Sequence, residues 1–354
     1  MFKKETYIQR REALKKAVGT GLLLFMGNDE AGCNFEDNLY PYRQDSTFLY
    51  YFGLPYAGLM AVIDIDENRE IIFGDELTID AIVWMGVQPT LHEKSEAAGI
   101  KDVRPSAELK PYLEAAARKG QPVRYLPTYR PEHRIKLLSL LGIMPGAEQP
   151  SVEFIKAVVN MRNYKSDEEI AEIERACNVT ADMHLRSLQM VRPGMRECEV
   201  AAAVQEVAAA HNFMLSFPTI ATVHGETLHN HDHSNVIRSG QLFLLDAGAE
   251  TEMGYAGVDV VQVLRGHGYM SSTVPADPKF TARQKEMFEI QLASHEAAVK
   301  ALRPGIRFEE VYDLSAEVIV EGMKSAGLMK GDAKEAVKAG AHALFFPHGL
   351  GHMM

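Results

Sequence analysis

Cysteine and long apolar segments are scarce in this sequence. Only three cysteines occur among 354 residues, without a CxxC pair, which argues against a disulfide framework and favours a reducing compartment. The N-terminus, MFKKETYIQRREALKK, lacks the apolar core of a signal peptide. The run GLLLFMG is far shorter than a membrane-spanning helix and predicts a buried strand. We therefore expect a cytoplasmic protein without a membrane segment.

Basic residues are outnumbered by acidic ones. The chain has 37 Lys and Arg against 48 Asp and Glu, a formal net charge of −11, which disfavours non-specific binding to nucleic acid. Hydrophobic residues make up 46% and charged residues 24%, as is usual for a globular protein. A chain of this length is long enough for two domains.

The order of sequence patterns predicts an α/β (α+β) protein. YIQRREALKKAV predicts a helix, whereas GLLLFMG, AGLMAVIDID and REIIFGD predict strands between turn residues. The stretch MPGAEQPS interrupts a helical run. Later, Thr281 and Gln284 have the spacing of a capping box ahead of a long helix. We predict two domains, 1–150 and 151–354.

The second part of the chain contains an internal repeat. VRPGMRECEV (Val191–Val200) recurs as LRPGIRFEEV (Leu302–Val311), with six of ten positions identical. Proline ends one helix and glycine allows the chain to reverse, so each copy predicts a helical hairpin. Each hairpin precedes a stretch of β-formers, MLSFPTIATV and HALFFP. This pattern predicts two αβ halves with pseudo-two-fold symmetry and a site between them.

The segment TVHGETLHNHDHSN carries alternating histidines. On a strand, His229, His231 and His233 would share one face. Histidine is the usual proton carrier near neutral pH and a common metal ligand. A polar surface strand is the alternative, and the residues alone favour it for His231 and His233.

An apolar strand followed by small residues, LFLLDAGAE, places Asp246 at its end. Burying a carboxylate is costly unless it is paired or bound to a cation, although an aspartate that caps a turn is the commoner outcome. Asp259 follows thirteen residues later in GYAGVDVVQVL. A hairpin could bring both carboxylates to one or two cations. Oxygen and imidazole ligands suit Mn²⁺, Co²⁺, Fe²⁺ or Zn²⁺ better than Ca²⁺.

The last segment, FFPHGLGHMM, has His348 and His352 four residues apart. A turn with two exposed histidines is the simple interpretation. Gly349 and Gly351 argue against a zincin helix, and that motif also needs a glutamate directly after its first histidine, where Gly349 stands. Near the N-terminus, YPYRQDSTFLYYFGLP taken alone predicts a packed loop.

Taken in order, several of these segments resemble one family. YRQDSTFLYYFGL, NMRNYKSDEEIAEIERA, VRPGMRECEV, LLDAGAE, GYAG and HGLGH together resemble a bacterial Xaa-Pro aminopeptidase, of the aminopeptidase P and prolidase group of metallopeptidases. The resemblance implies an aminopeptidase-P-type N-terminal domain and a C-terminal catalytic domain of the pita-bread fold. It also implies a homo-oligomeric hydrolase whose substrates are peptides with proline at the second position.

The resemblance also implies the composition of the site. The family holds two divalent metal ions, often manganese, with two aspartates, one histidine and two glutamates; Co²⁺ and Zn²⁺ are alternatives. By motif, Asp246 is the first aspartate and His352 is the histidine ligand. His229 and His348 match the substrate-side histidines, which assist proton transfer and stabilise the tetrahedral intermediate. The mechanism that the resemblance implies is hydrolysis, in which the metal ions would supply an activated hydroxide for attack on the carbonyl before the proline.

Two departures from the family pattern weaken this expectation. GYAG is followed by VDVVQVLRGHGY, so that Tyr269 occupies the place of the second aspartate and Asp259 is the nearest replacement. Both glutamate ligands belong to motifs beyond HGLGH, which these 354 residues do not contain. We therefore expect weak metal binding, with a mononuclear site as an alternative, and low activity or none.

Other functions stay open at this point. A prolidase, which cleaves Xaa-Pro dipeptides, would share the metal motifs, but YRQDS favours the aminopeptidase. A metal-free amidinohydrolase of the creatinase type is disfavoured by Asp246. A non-catalytic module that binds peptides or proteins is favoured by the missing glutamates and disfavoured by the retained aspartate and histidines.

Overall fold

The computed structural model describes residues 2–251 and 271–351. The chain forms two compact units, Met1–Glu168 and Glu169–Met354. The interrupted helical run around Pro145 is confirmed, since one helix ends at Leu141 and the next begins at Val152.

The first unit is a mixed sheet with helices packed around it. The helices are α1 (Lys4–Val18), α2 (Ser46–Phe52), α3 (Ile79–Met85), α4 (Leu91–Ala97), α5 (Leu109–Arg118), α6 (Pro131–Leu141) and α7 (Val152–Arg162), with a 3₁₀ turn at Ser106–Glu108. The strands are β1 (Leu22–Met26), β2 (Gly32–Phe35), β3 (Asn38–Leu39), β4 (Met60–Asp64), β5 (Arg69–Phe73), β6 (Asp102–Arg104) and β7 (Val123–Tyr125). The five-stranded sheet has the order β6-β5-β4-β1-β7. Strands β1, β4 and β5 are antiparallel, and β6 and β7 join the edges in parallel.

The core of this unit is built on β1, which is buried along its whole length. The ring of Phe25 meets Phe52 edge-on at 5.0 Å and Phe154 edge-on at 5.1 Å. Helices α2 and α7 therefore pack on this strand through aromatic side chains, a geometry that aromatic pairs prefer. The predicted buried strand GLLLFMG is confirmed.

A buried arginine connects four elements of the same unit. Arg11 on α1 is 0% exposed, and its Nε donates to Glu70 Oε2 on β5 at 2.7 Å. Its two Nη groups donate to the carbonyls of Tyr51 and Ala98, at the ends of α2 and α4, at 2.9 and 3.0 Å. Burial lowers the pKa of the Arg11 guanidinium, and the charge of Glu70 opposes that shift.

The packed loop predicted for YPYRQDSTFLYYFGLP is wrong for Ser46–Phe52, which form α2, whereas residues 40–45 do form a loop. Gln44 is 2% exposed, and its Oε1 accepts from the backbone N–H groups of Asn28 at 2.7 Å and Asp45 at 2.9 Å. Its Nε2 donates to Tyr56 O at 2.7 Å. Asp45 caps α2 by accepting from Phe48 N at 2.9 Å. The loop is therefore fixed by its own side chains.

Helix α3 presents apolar side chains to solvent. Ile79, Val83 and Trp84 are 80%, 75% and 88% exposed, and none of the residues of α3 is buried. This helix adds little to the core of its unit.

Two glycines of this unit allow a direct stability test. Gly53 has φ +62° and a Cβ there would lie 2.3 Å from the ring of the buried Tyr7, whereas Gly58 has φ +73° and no atom within 4 Å. We expect Gly53→Ala to cost about 2–5 kcal/mol from backbone strain and overlap together. Gly58→Ala should cost about 1–2 kcal/mol from strain alone. Urea unfolding of both variants checks this, and equal losses would contradict it.

The second unit combines two helical hairpins with a small sheet. Its helices are α8 (Asp167–Met190), which begins just before the unit, α9 (Glu197–Ala210), α10 (Ala282–Ala301), α11 (Phe308–Ser325) and α12 (Ala333–Lys338), with a 3₁₀ turn at Ala341–Leu344. Its strands are β8 (Met214–Leu215), β9 (Ile220–Thr222), β10 (Leu242–Asp246), β11 (Ala249–Glu250) and β12 (Ser271–Pro275). Strand β10 lies between β9 and β12, antiparallel to both, and β8 pairs with β11.

The repeated Arg-Pro-Gly segments have the same local structure, as predicted. The glycine of each turn has positive φ, +94° and +88°. The next helix then begins with a capping box, in which Glu199 accepts from Arg196 N at 2.7 Å and Glu310 accepts from Arg307 N at 3.0 Å. Thus α8 and α9, and α10 and α11, form corresponding helical hairpins.

The prediction of a strand after the second hairpin is wrong. MLSFPTIATV does provide β8 and β9, but HALFFP forms the 3₁₀ turn and irregular backbone. In this segment Phe346 stacks on Tyr312 of α11 at 5.1 Å, and the Tyr312 hydroxyl is hydrogen-bonded to His342 Nε2 at 3.0 Å. Packing on α11 therefore overrides the local preference for a strand.

Candidate active site

Asp246 lies at the end of the central strand of the second unit. In β10 it stands opposite Ile220 of β9 and Ser271 of β12. Phe243 and Leu245 are 0% exposed, and Asp246 is half-buried. Because side chains alternate along a strand, Asp246 lies on the face opposite the core residues. The predicted strand that ends in this aspartate is confirmed.

His184 of α8 fixes the backbone directly after Asp246. Its Nε2 donates to Ala247 O at 3.0 Å, so in the neutral ring Nδ1 accepts from the Ser272 hydroxyl at 2.7 Å. Burial lowers the pKa of His184, and the bond to Ala247 opposes that shift. One neutral imidazole thereby joins the end of β10 to the start of β12.

The sequence reasoning missed His184. Thr180 lies one helical turn earlier, and its Oγ1 accepts from Ala249 N at 3.0 Å. Two polar residues four apart on the buried face of a long helix were the available signal. That signal does not identify the hydrogen-bond partner of His184, because Ser272 is 88 residues away in the sequence.

The histidines expected on a strand lie in a loop instead. Residues 223–235 form turns and irregular backbone, which we name the histidine loop. His229 and His231 are exposed, and His233 is half-buried with Nε2 3.1 Å from Thr219 O. The strand prediction is therefore wrong.

The strand prediction for the histidine segment fails for a local reason. Asn230 and Asp232, which alternate with the histidines, accept from the backbone N–H groups of Asp232 at 3.1 Å and Ser234 at 3.2 Å. Such short-range contacts replace strand pairing.

His348 is exposed next to the second hairpin. Its Nδ1 donates to Gly349 O at 2.9 Å, and its ring meets Phe346 edge-on at 4.8 Å. The turn predicted from the glycines of HGLGH is consistent with this geometry. His352 and Asp259 lie outside the described residues, as does Tyr269.

The described residues do not contain a complete metal site. Among residues 2–251 and 271–351, no three His, Cys, Asp or Glu side chains are grouped closely enough to hold a metal ion. Asp246 offers a carboxylate on an ordered strand end, a donor type that suits Mn²⁺. A divalent ion needs at least about four donors, so Asp246 fits as one ligand and does not form a site with its described neighbours alone.

Within the described ranges, no helix is long and apolar enough to span a membrane.

Comparisons with known proteins agree with the fold and the motifs. Residues 7–124 match the aminopeptidase P N-terminal domain, and residues 171–354 match metallopeptidase family M24. The Xaa-Pro aminopeptidase of Escherichia coli (strain K12) is 29% identical over 99% of this chain and 80% of the relative. A probable Xaa-Pro aminopeptidase of Chaetomium globosum is 26% identical over 97% of this chain and 55% of the relative.

A solved structure shows the same architecture. Zn-substituted Escherichia coli aminopeptidase P in complex with product has a TM-score of 0.83 and 28% identity, over 99% of this chain and 80% of that chain. The predicted mixed α and β fold and enzyme class, a metallopeptidase of the Xaa-Pro aminopeptidase type, are confirmed. Since one family model covers more than half of its residues, the chain belongs to metallopeptidase family M24.

Proposed function

We propose that this chain is a metal-dependent aminopeptidase that releases the N-terminal residue of peptides whose second residue is proline. The observation that carries the proposal is the position of Asp246, at an ordered strand end that His184 fixes and on the face away from the core. The match of residues 7–124 to the aminopeptidase P N-terminal domain supports the aminopeptidase over the prolidase alternative.

The metal ligands that we propose are Asp246, Asp259 and His352. Mn²⁺ is the preferred ion because it accepts oxygen and imidazole donors together, and Co²⁺ and Zn²⁺ share that property. A bound divalent ion would supply a water of lowered pKa as the nucleophile. Location in the cytoplasm and a homo-oligomeric state are further predictions.

The proposed substrate-side residues are His229 and His348. In His348 the bond from Nδ1 to Gly349 O leaves Nε2 as the acceptor of the neutral ring. This nitrogen can take a proton from the substrate side and return it to the leaving amine. Phe346 limits rotation of the ring by its edge-on contact.

A peptide series tests the proposed function. The protein is treated with a chelator, then assayed with and without added Mn²⁺ on a tripeptide with proline second, the same tripeptide with alanine second, and an Xaa-Pro dipeptide. We expect release of the first residue from the proline tripeptide only when metal is present. Faster cleavage of the dipeptide would indicate a prolidase, and binding without cleavage would indicate a peptide-binding module. Turnover that persists without metal would contradict the proposal.

A further inference from the structure

A buried carboxylate holds both ends of the histidine loop. Glu197, the first residue of α9, is 0% exposed. Its Oε1 accepts from Val223 N at 2.7 Å and from the Thr222 hydroxyl at 3.0 Å. Its Oε2 accepts from Asn235 N at 3.2 Å and from Asn235 Nδ2 at 3.0 Å. Four donors satisfy both oxygens, which offsets the cost of burying the carboxylate.

The backbone beside Glu197 strengthens the same attachment. Glu197 N donates to Asn235 O at 3.0 Å, and Cys198 N donates to His233 O at 3.1 Å. The first turn of α9 therefore holds the far end of the loop through both its backbone and the Glu197 side chain, and the near end through the Glu197 side chain alone.

The contact continues from Glu197 to the neighbour of His229. The Thr222 hydroxyl donates its hydrogen bond to Glu197, so the lone pairs of Thr222 Oγ1 are available as acceptors. They accept from His224 N at 2.9 Å and from Asn230 Nδ2 at 3.1 Å. Asn230 directly follows His229 in the sequence. The carboxylate thus orients a hydroxyl group that fixes the residue beside the candidate site histidine.

The internal repeat shows that the hairpin itself does not need this carboxylate. In the second copy the position aligned with Glu197 is Phe308, which is 56% exposed. Both helices nevertheless begin at this position, after the same turn and with the same capping box. The buried glutamate is therefore not required by the turn and helix that both copies share. Its partners lie at the two ends of the histidine loop, which follows the first copy.

We propose that Glu197 is a positioning residue for the peptidase reaction: it holds the histidine loop so that His229 meets the substrate. This inference rests on the proposed function and on the substrate-side role of His229. Displacement of a reacting group by about 1 Å costs roughly 10²-fold in rate. The carboxylate is the group that sets the position of the loop.

Substitutions at Glu197 and Thr222 test the inference in the full chain. Glu197→Gln keeps the size of the side chain but turns an amide N–H toward donors, so we expect kcat to fall roughly 10²-fold while KM changes little. Amide hydrogen exchange in residues 223–235 should become faster. Thr222→Val should also lower kcat and speed up exchange in the histidine loop, but by less. Thr222→Ser keeps the hydroxyl and should therefore have the kcat and the loop exchange of the wild type.

A matched control separates positioning from general stability. Ser294 Oγ donates to Ser315 O at 2.9 Å inside the second hairpin, so Ser294→Ala should lower Tm without changing kcat or exchange in the histidine loop. Unchanged kcat in Glu197→Gln, or an equal loss of kcat in Ser294→Ala at the same loss of Tm, would overturn the inference. If the wild-type chain has no turnover, the proposed function fails, and loop exchange decides alone: an increase in Glu197→Gln supports the anchor and no change refutes it.

Discussion

Asp246→Ala is expected to abolish Mn²⁺ binding and to remove nearly all Mn²⁺-dependent turnover. The substitution removes the carboxylate at the end of β10 without adding bulk, and the backbone there remains held by His184. A bound metal would stabilise charge in the transition state by several kcal/mol. If that contribution is about 4 kcal/mol, its loss lowers the rate roughly 10³-fold.

Calorimetric titration with Mn²⁺ and the tripeptide assay check this result. Asp277 provides the control, because it lies at the opposite end of the same sheet, where its Oδ2 accepts from Gly240 N at 2.6 Å. Asp277→Ala should leave the Mn²⁺ affinity unchanged. If Asp246→Ala binds Mn²⁺ as tightly as the wild type, Asp246 is not a ligand. If both variants lose Mn²⁺, the cause is loss of folding.

Arg11→Met should destabilise the first unit by about 3–5 kcal/mol, the usual effect of removing one partner of a buried ion pair. The substitution leaves the carbonyls of Tyr51 and Ala98 without their present donor and removes the closer of two cations from Glu70. Methionine fills much of the space, so the loss comes mainly from unsatisfied polar groups.

An exposed ion pair of the same unit gives the contrast. Lys119 pairs with Glu67 at the surface, with side chains 64% and 38% exposed, so Lys119→Ala should lower the stability far less than Arg11→Met does. Urea unfolding followed by circular dichroism measures both losses. Hydrogen exchange in β1 and β5 assigns them to this unit. Similar losses for the two variants would show that Arg11 contributes no more than a surface charge.

The elements that could be predicted are those whose cause is local. The apolar run of β1 is buried because every one of its residues is apolar. Thr281 accepts from Gln284 N at 3.2 Å, as its capping-box spacing predicts. The Arg-Pro-Gly turns follow from proline and glycine themselves. The end of β10 at Asp246 was predictable for the same reason, since small residues follow an apolar strand.

The elements that could not be predicted depend on distant partners. His184 needs Ser272, 88 residues away, and Glu197 needs Asn235, 38 residues away. HALFFP has strand-forming residues, but Tyr312 supplies a packing surface that a short window of sequence does not contain. The roles of the candidate site residues stay predictions, because they depend on a metal and a substrate that a stretch of sequence does not specify.

The exposed surface of α3 has a consequence for spectroscopy. Trp84 is the single tryptophan of the sequence, and the residue is already 88% exposed to solvent. Its emission should therefore change little when the chain unfolds, and a fluorescence melt would miss both units. The same exposure makes Trp84 a specific reporter of α3. A blue shift of its emission would signal that something has covered this helix, because no other tryptophan contributes to the emission.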